Sequence, residues 1–154
     1  MNKTSTAIIV LLLGVIAFGG WKFMYQGSAT RHADGRMSIE LTESERNLVL
    51  GEMRGFLVSV QQIVQGLAEE DMGKVVEAAR KSGRAAQGAV PGSLMGKLPM
   101  EFKQLGFDTH TRFDRLAMDA EALEDPAVVH EQLARMMENC IGCHAAYRLD
   151  AVIP

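Results

Sequence analysis

Hydrophobic positions recur along most of the chain at the three- and four-residue spacing of amphipathic helices. The stretch Thr42-Glu43-Ser44-Glu45 has the form of a capping box, which predicts a helix from about Glu43 to about Leu67. Its predicted buried stripe is Leu50, Met53, Leu57, Val60, Val64 and Leu67, broadened by Val49, Phe56 and Ile63. This long stripe is typical of a helix in a bundle.

Two shorter helical patterns follow. Asp71 can cap a second helix with a face of small apolar residues, and Gly88 ends it. A third pattern begins near Pro99, which suits a first helical turn. Gly106 and Asp108 weaken its middle, so a break is predicted there.

A fourth helix begins at Asp125-Pro126, because Asp can cap and Pro fits the first helical position. Its apolar stripe is Val129, Leu133, Met136, Cys140, Cys143 and Tyr147. Four amphipathic helices with short connections predict an all-α fold, an antiparallel four-helix bundle. A di-iron centre of the kind such bundles hold needs Glu-x-x-His pairs, and the sequence has none.

The first part of the chain is apolar, without a charged residue from Thr4 to Trp21. It fits a signal peptide cleaved after Ala17-Phe18-Gly19, or an uncleaved anchor with aromatic residues at the membrane surface. We favour one N-terminal transmembrane helix within 1–25, followed by a polar tether at 26–40 and a bundle domain at 41–154. His32 in the tether is expected to be solvated.

The charge of the chain and its apolar N-terminal segment indicate which classes of partner to expect. The net charge of −3 provides no basic surface, so no nucleic acid partner is predicted. The membrane itself is the predicted partner of the N-terminal helix, and Lys3 would hold the N-terminus inside, so that the domain is exported.

The chemistry is concentrated in Cys140-Ile141-Gly142-Cys143-His144, which contains both cysteines of the chain. Cys-x-x-Cys-His is the attachment signature of a c-type haem: the thiols lie on one helical face and can add to the haem vinyl groups. His144 would be the proximal ligand of the haem iron. A thioredoxin-like pair would need a preceding strand, and a zinc site would need two more ligands.

Two other side chains have more than one interpretation. Met53 lies on an apolar stripe, where methionine usually fills a core, but its thioether could also be a sixth iron ligand. His110 could be a distal ligand, but the surface is favoured.

The motif and the first helix resemble the class II c-type cytochromes, the cytochrome c-prime group and its low-spin methionine-ligated relatives. The sequence from Cys140 through Tyr147-Arg148 is similar to the family's haem helix, and that from Arg46 to Gly66 is loosely similar to its first helix. The resemblance implies one covalent haem c, with Arg148 pairing with a propionate and Tyr147 in the haem helix.

In that family the fourth residue after the first-helix Arg covers the distal side of the iron. Here Arg46 is followed by Leu50, which implies a five-coordinate iron, while Met53 is one turn further along. Six-coordinate iron suits electron transfer, whereas an open site suits nitric oxide or carbon monoxide binding.

The resemblance therefore implies a membrane-anchored carrier of electrons in a respiratory or photosynthetic chain, rather than an enzyme. Its haem domain would lie in the periplasm, on the outer side of a bacterial cytoplasmic membrane. Its partner would be a redox protein or membrane oxidoreductase, and a homodimer is compatible with the family. The alternatives are a gas-binding haem protein and a structural subunit.

Overall fold

The structure is a computed structural model that describes residues 2–88 and 90–152, so residue 1 of the predicted anchor and residues 89 and 153–154 of the predicted domain lie outside the described residues. The described chain is mostly helical, with one small sheet. The helices are α1 Lys3–Gly20, α2 Glu43–Ala68, α3 Met72–Arg80, α4 Gly92–Lys97, α5 Met100–Leu123 and α6 Pro126–Ala146. The strands are β1 Ala29–Arg31, β2 Met37–Leu41 and β3 Tyr147–Ala151.

Helix α1 has no buried residue along its whole length. Helix α1 continues into a π-helical segment, Trp21–Gln26, and the two together are long and apolar enough to cross a membrane. Their side chains are exposed, as expected for a helix whose apolar surface is meant for lipid.

The segment at 26–40 is not the polar tether that its composition predicted, because it forms part of a sheet. Strand β1 pairs antiparallel with β2, and β2 pairs parallel with β3, with Ile39 opposite Leu149. Ile39 and Leu41 are fully buried. The alternation of apolar and polar residues over Met37–Leu41 is the period-two signal of such a strand. The fold is therefore not all-α.

Helix α2 begins and ends close to its predicted limits, and its capping box is present: Glu45 N donates to Thr42 Oγ1 and Thr42 N donates to Glu45 Oε2. The buried face is rotated from the predicted one. Val49 and Ile63 are buried, whereas Leu57 and Val64 are exposed. The row of Val49, Phe56 and Ile63, which was predicted only to broaden the buried stripe, thus lies on the core face of this helix.

The next two helices differ from prediction in length. Helix α3 ends at Arg80, before a single 3₁₀ turn at Arg84–Ala86, so it is shorter than predicted. Helix α5 runs without a break past Gly106 and Asp108. Asp108 instead accepts hydrogen bonds from Asn139 and Arg112, which favour the helical conformation around it.

The core has two parts. The first is shared by α2, α3, α5 and α6, and includes Ile63, Val75, Phe113, Leu116, Val129 and Met136. The second joins the sheet to α2, α4 and α5, and includes Ile39, Leu41, Val49, Leu94, Leu98, Phe102 and Tyr147. Helix α2 packs on α3, α3 on α5 and α5 on α6.

Candidate haem site

Helix α6 positions the motif. Asp125 caps it, with its carboxylate accepting from Ala127 N at 2.8 Å, and Pro126 occupies the first turn, as predicted. Cys140, Cys143 and His144 lie in its last two turns, and both thiols are free. One helical turn separates the thiols, which is the spacing that attachment to a haem requires.

The two thiols are half-buried. Cys143 packs against the second part of the core, where Met53 and Tyr147 also pack. Burial, together with the neighbouring Cys140 thiol, raises the pKa of Cys143 to about 11. Burial also raises the pKa of Cys140. Both groups are therefore neutral thiols near pH 7, without the low pKa of a catalytic cysteine.

His144 is exposed beside these thiols. The helix ends at Ala146, and the following residues leave it as strand β3, whereas sequence spacing had placed them on a further helical turn. The pairing of β3 with β2 accounts for this end. His144 is thus at the end of the helix with its side chain accessible.

Tyr147 and Arg148 have partners within the chain. Tyr147 is buried, its hydroxyl donates to Glu101 Oε2 at 3.1 Å, and its ring packs edge-on against Phe102. Burial and this carboxylate raise the pKa of Tyr147 to about 12. Arg148 donates to Asp150 Oδ1 at 2.7 Å.

Arg148 also extends toward the turn between β1 and β2. Its Nη1 lies 3.3 Å from Asp34 Oδ2 and 3.0 Å from His32 Nδ1. The His32 side chain contacts Arg148 and is 39% exposed, so it keeps access to solvent, as predicted. A guanidinium that pairs with two carboxylates could also pair with a haem propionate. In this structure, however, both carboxylates that it binds belong to the protein itself.

Exposed apolar side chains lie on the outer sides of α2 and α6. On α2, Ser59 hydrogen-bonds Ser82 and Gly66 abuts Val75, so Leu57 and Val64 are on the side away from α3. On α6, Gln132 and Asn139 bond to α5, so Met137, Ile141 and His144 are on the side away from α5. We call Leu57, Val64, Met137 and Ile141 the α2–α6 flank.

The residues of this flank are unusually exposed for their type. Leu57 is 69% exposed and Ile141 is 68% exposed. A planar apolar group bound through Cys140 and Cys143 would cover such a surface. The thiols, the adjacent imidazole and the flank therefore fit a covalently held haem.

The two residues predicted for the distal side of the haem iron, Met53 and Leu50, differ in position. Met53 is half-buried and packs in the part of the core that includes Cys143. Leu50 is half-buried, one turn earlier on α2. Arg46 Nε, four residues before Leu50, donates to the Leu149 carbonyl at 3.0 Å and so joins α2 to strand β3.

His110 is buried, not on the surface as predicted. It is 3% exposed, with Nδ1 donating to the Ser82 carbonyl at 2.8 Å and Nε2 donating to Glu52 Oε1 at 3.1 Å. Burial by itself would lower the pKa of His110, but these hydrogen bonds outweigh it and raise the pKa. Both ring nitrogens of His110 are thus engaged by Ser82 and Glu52.

Sequence reasoning did not identify Glu52 or a cavity of about 530 Å³ between α2, α4 and α5. The motif residues, all of them described, do not line this cavity. No cluster of His, Cys, Asp and Glu suited to a metal ion occurs in residues 2–88 and 90–152. Comparison of the chain with protein families, curated proteins and solved structures finds no match.

Proposed function

We propose that this chain is a mono-haem c-type cytochrome that carries electrons and is anchored in a membrane. The observation that supports the proposal best is the end of α6, where two free thiols one turn apart precede an exposed imidazole beside an uncovered apolar flank. The apolar N-terminal helix supports the anchor. In this proposal the chain has no enzymatic activity of its own.

Each residue at the site has a defined role. The Cys140 and Cys143 thiols would hold the haem by thioether bonds, and the His144 imidazole would be its proximal ligand. When bound, the haem supplies one-electron oxidation and reduction. Leu57 and Ile141 would exclude water from one face of the haem. Exclusion of water favours the less charged state of the haem.

The fold supports the same proposal. Helices α2, α3, α5 and α6 share one apolar cluster, and we interpret them as an antiparallel four-helix bundle extended by the sheet. The class II c-type cytochromes, which the sequence around Cys140 resembles, have a bundle of this type. With Lys3 inside, the haem domain would lie in the periplasm of a bacterium, where c-type haem is attached. Its partner would be a redox protein or membrane oxidoreductase.

The experiment is expression of the full chain in a host that matures c-type cytochromes, followed by denaturing electrophoresis with haem staining and intact mass. One haem should remain covalently attached to the wild type. Cys140→Ala and Cys143→Ala should lose one or both thioether bonds, whereas Ile141→Ala, which changes a residue between the thiols, should retain them. A wild type without covalent haem would reject the proposal.

The optical spectrum then separates electron transfer from gas binding. A sharp reduced α-band that carbon monoxide does not change indicates six-coordinate iron and an electron carrier. A broad reduced spectrum that shifts with carbon monoxide indicates an open site beneath Leu50. In that outcome the chain would be a binder of nitric oxide or carbon monoxide.

A further inference from the structure

The cavity between α2, α4 and α5 lies on the side of α2 opposite the α2–α6 flank. Leu48, Gly51, Glu52 and Gly55 of α2 line it, on the side of the helix that includes Ser59 and faces α3. Because α3 ends at Arg80, residues from the described range 81–88 and 90, which has only the 3₁₀ turn Arg84–Ala86, line the cavity beside this part of α2. The cavity of about 530 Å³ is large enough for a small organic molecule.

The cavity has an apolar, aromatic wall and one polar end. Phe56, Phe102 and Phe107 line it, and Phe56 packs edge-on against the His110 ring, with centroids 4.8 Å apart. At the polar end His110 donates both ring N–H groups, one of them to Glu52. Glu52 uses one carboxylate oxygen for this bond and is partly exposed. It can therefore accept a second hydrogen bond from a ligand hydroxyl.

Helical glycines keep the cavity open. Gly51 and Gly55 on α2 and Gly106 on α5 are all within helices and all line the cavity. A glycine within a helix costs about 1 kcal/mol relative to alanine. A Cβ atom at Gly55 or Gly106 would meet nothing within 4 Å, so close packing of backbones does not require these glycines. What they provide is free volume in the cavity.

The anchor approaches the same walls. The segment Trp21–Gln26 packs on α4 and α5, with Phe23 next to Gly96 and Lys103 Nζ 3.5 Å from the Met24 carbonyl. Lys103 also lines the cavity. A molecule dissolved in the membrane would therefore reach the cavity where the anchor leaves the lipid.

We propose that this cavity binds a lipid-soluble quinone or hydroquinone from the membrane. The aromatic head would pack among Phe56, Phe102 and Phe107, and a hydroquinone O–H would donate to Glu52. An anionic lipid head is disfavoured next to that carboxylate, although Lys81 and Lys103 also line the cavity. The proposal does not depend on haem attachment.

The test uses the full chain in nanodiscs with decylubiquinone as the probe. Trp21, the single tryptophan of the chain, belongs to the segment that packs on α4, and quenching of its fluorescence reports bound quinone. Wild type should show a saturable component. Gly106→Phe should remove it, whereas Gly106→Ala should bind within about twofold of wild type, since a methyl group leaves most of the volume free.

Three further measurements decide the result. Gly55→Leu fills the cavity from α2 and should also remove the saturable component of the quenching. This second variant keeps the test valid if Gly106→Phe does not fold. Glu52→Gln should weaken decylubiquinol binding about tenfold or more, the loss expected for a hydrogen bond to a charged group. Equal quenching in every variant, or binding of dodecanoate with no saturable quinone component, would overturn the proposal.

Discussion

Lys97 Nζ lies 2.6 Å from Glu45 Oε2, and this contact joins helix α4 to the first turn of α2. The same carboxylate accepts from Thr42 N at 2.9 Å as part of the capping box. Lys97 also accepts, through its backbone carbonyl, a hydrogen bond from Ser28 N at 2.7 Å. Lys97 therefore links helix α4 to the start of α2 through an ion pair, and to the chain that leaves the anchor through a backbone hydrogen bond.

The first prediction concerns acid stability. The hydrogen bond from Lys97, with that from Thr42 N, lowers the pKa of Glu45 to about 2, from 4.5. A lowered carboxyl pKa contributes stability above the unfolded value, and this contribution is lost as the pH falls toward 2. Glu45→Gln should lower the free energy of unfolding at pH 7 by about 1.5–3 kcal/mol. Urea denaturation at pH 7 and pH 3 measures the effect.

The pH dependence of the stability distinguishes the Glu45 carboxylate from exposed carboxylates. The difference between wild type and Glu45→Gln should shrink at pH 3 relative to pH 7. Glu43→Gln, which changes an exposed carboxylate in the same helical turn, is the control and should alter stability little. An equal loss in both variants would contradict the assignment.

The second prediction concerns Gly27, where the chain turns from the anchor toward the sheet. Its φ is +64°, and a Cβ atom there would collide with the Lys97 carbonyl. Gly27→Ala should therefore destabilise the fold by about 1–3 kcal/mol. Gly35 has φ +88° with open space around it, so Gly35→Ala should cost only the backbone strain. Thermal unfolding followed by circular dichroism compares them, and equal losses would contradict the role of the collision.

Sequence patterns predicted the features that are local in the chain. The capping box of Thr42 and Glu45 and the start of α6 at Asp125 depend on side chains within three residues, and both are confirmed. The predicted limits of α2 are also confirmed. Such signals are strong because the partner atoms are fixed by helical geometry.

The errors come from contacts between distant segments. Strand β2 forms because β3, which follows α6, pairs with it, and no local pattern places those segments together. His110 is buried because Glu52 and the Ser82 carbonyl, far away in sequence, satisfy both of its nitrogens. Leu57 lies on a regular apolar stripe but is uncovered, since periodicity cannot tell a core from a surface that binds another group.

The third prediction uses the raised pKa of His110. A raised histidine pKa contributes stability that is fully present below the unfolded value of 6.5 and is lost as the pH rises through the folded value. Wild type should therefore lose unfolding free energy as the pH rises above 6.5.

Glu52→Gln provides the comparison, because it removes the charge that raises the His110 pKa. Its stability should depend less on pH above 6.5 than that of wild type. Urea denaturation between pH 6 and pH 9 measures the slope. Parallel slopes in the two proteins would mean that the Glu52 contact does not stabilise the protonated imidazole.

The last prediction concerns the sixth ligand of the proposed haem. Met53 packs in the part of the core that includes Cys143, so Met53→Leu should convert a sharp reduced α-band into a broad one and allow carbon monoxide to bind. The substitution nearly conserves volume, so its effect on folding should be below about 1.5 kcal/mol. Met137→Leu, on the flank of α6, is the matched control and should leave the spectrum unchanged. Carbon monoxide binding to the wild type would instead place an open iron site beneath Leu50, and Met53 would then be a core residue alone.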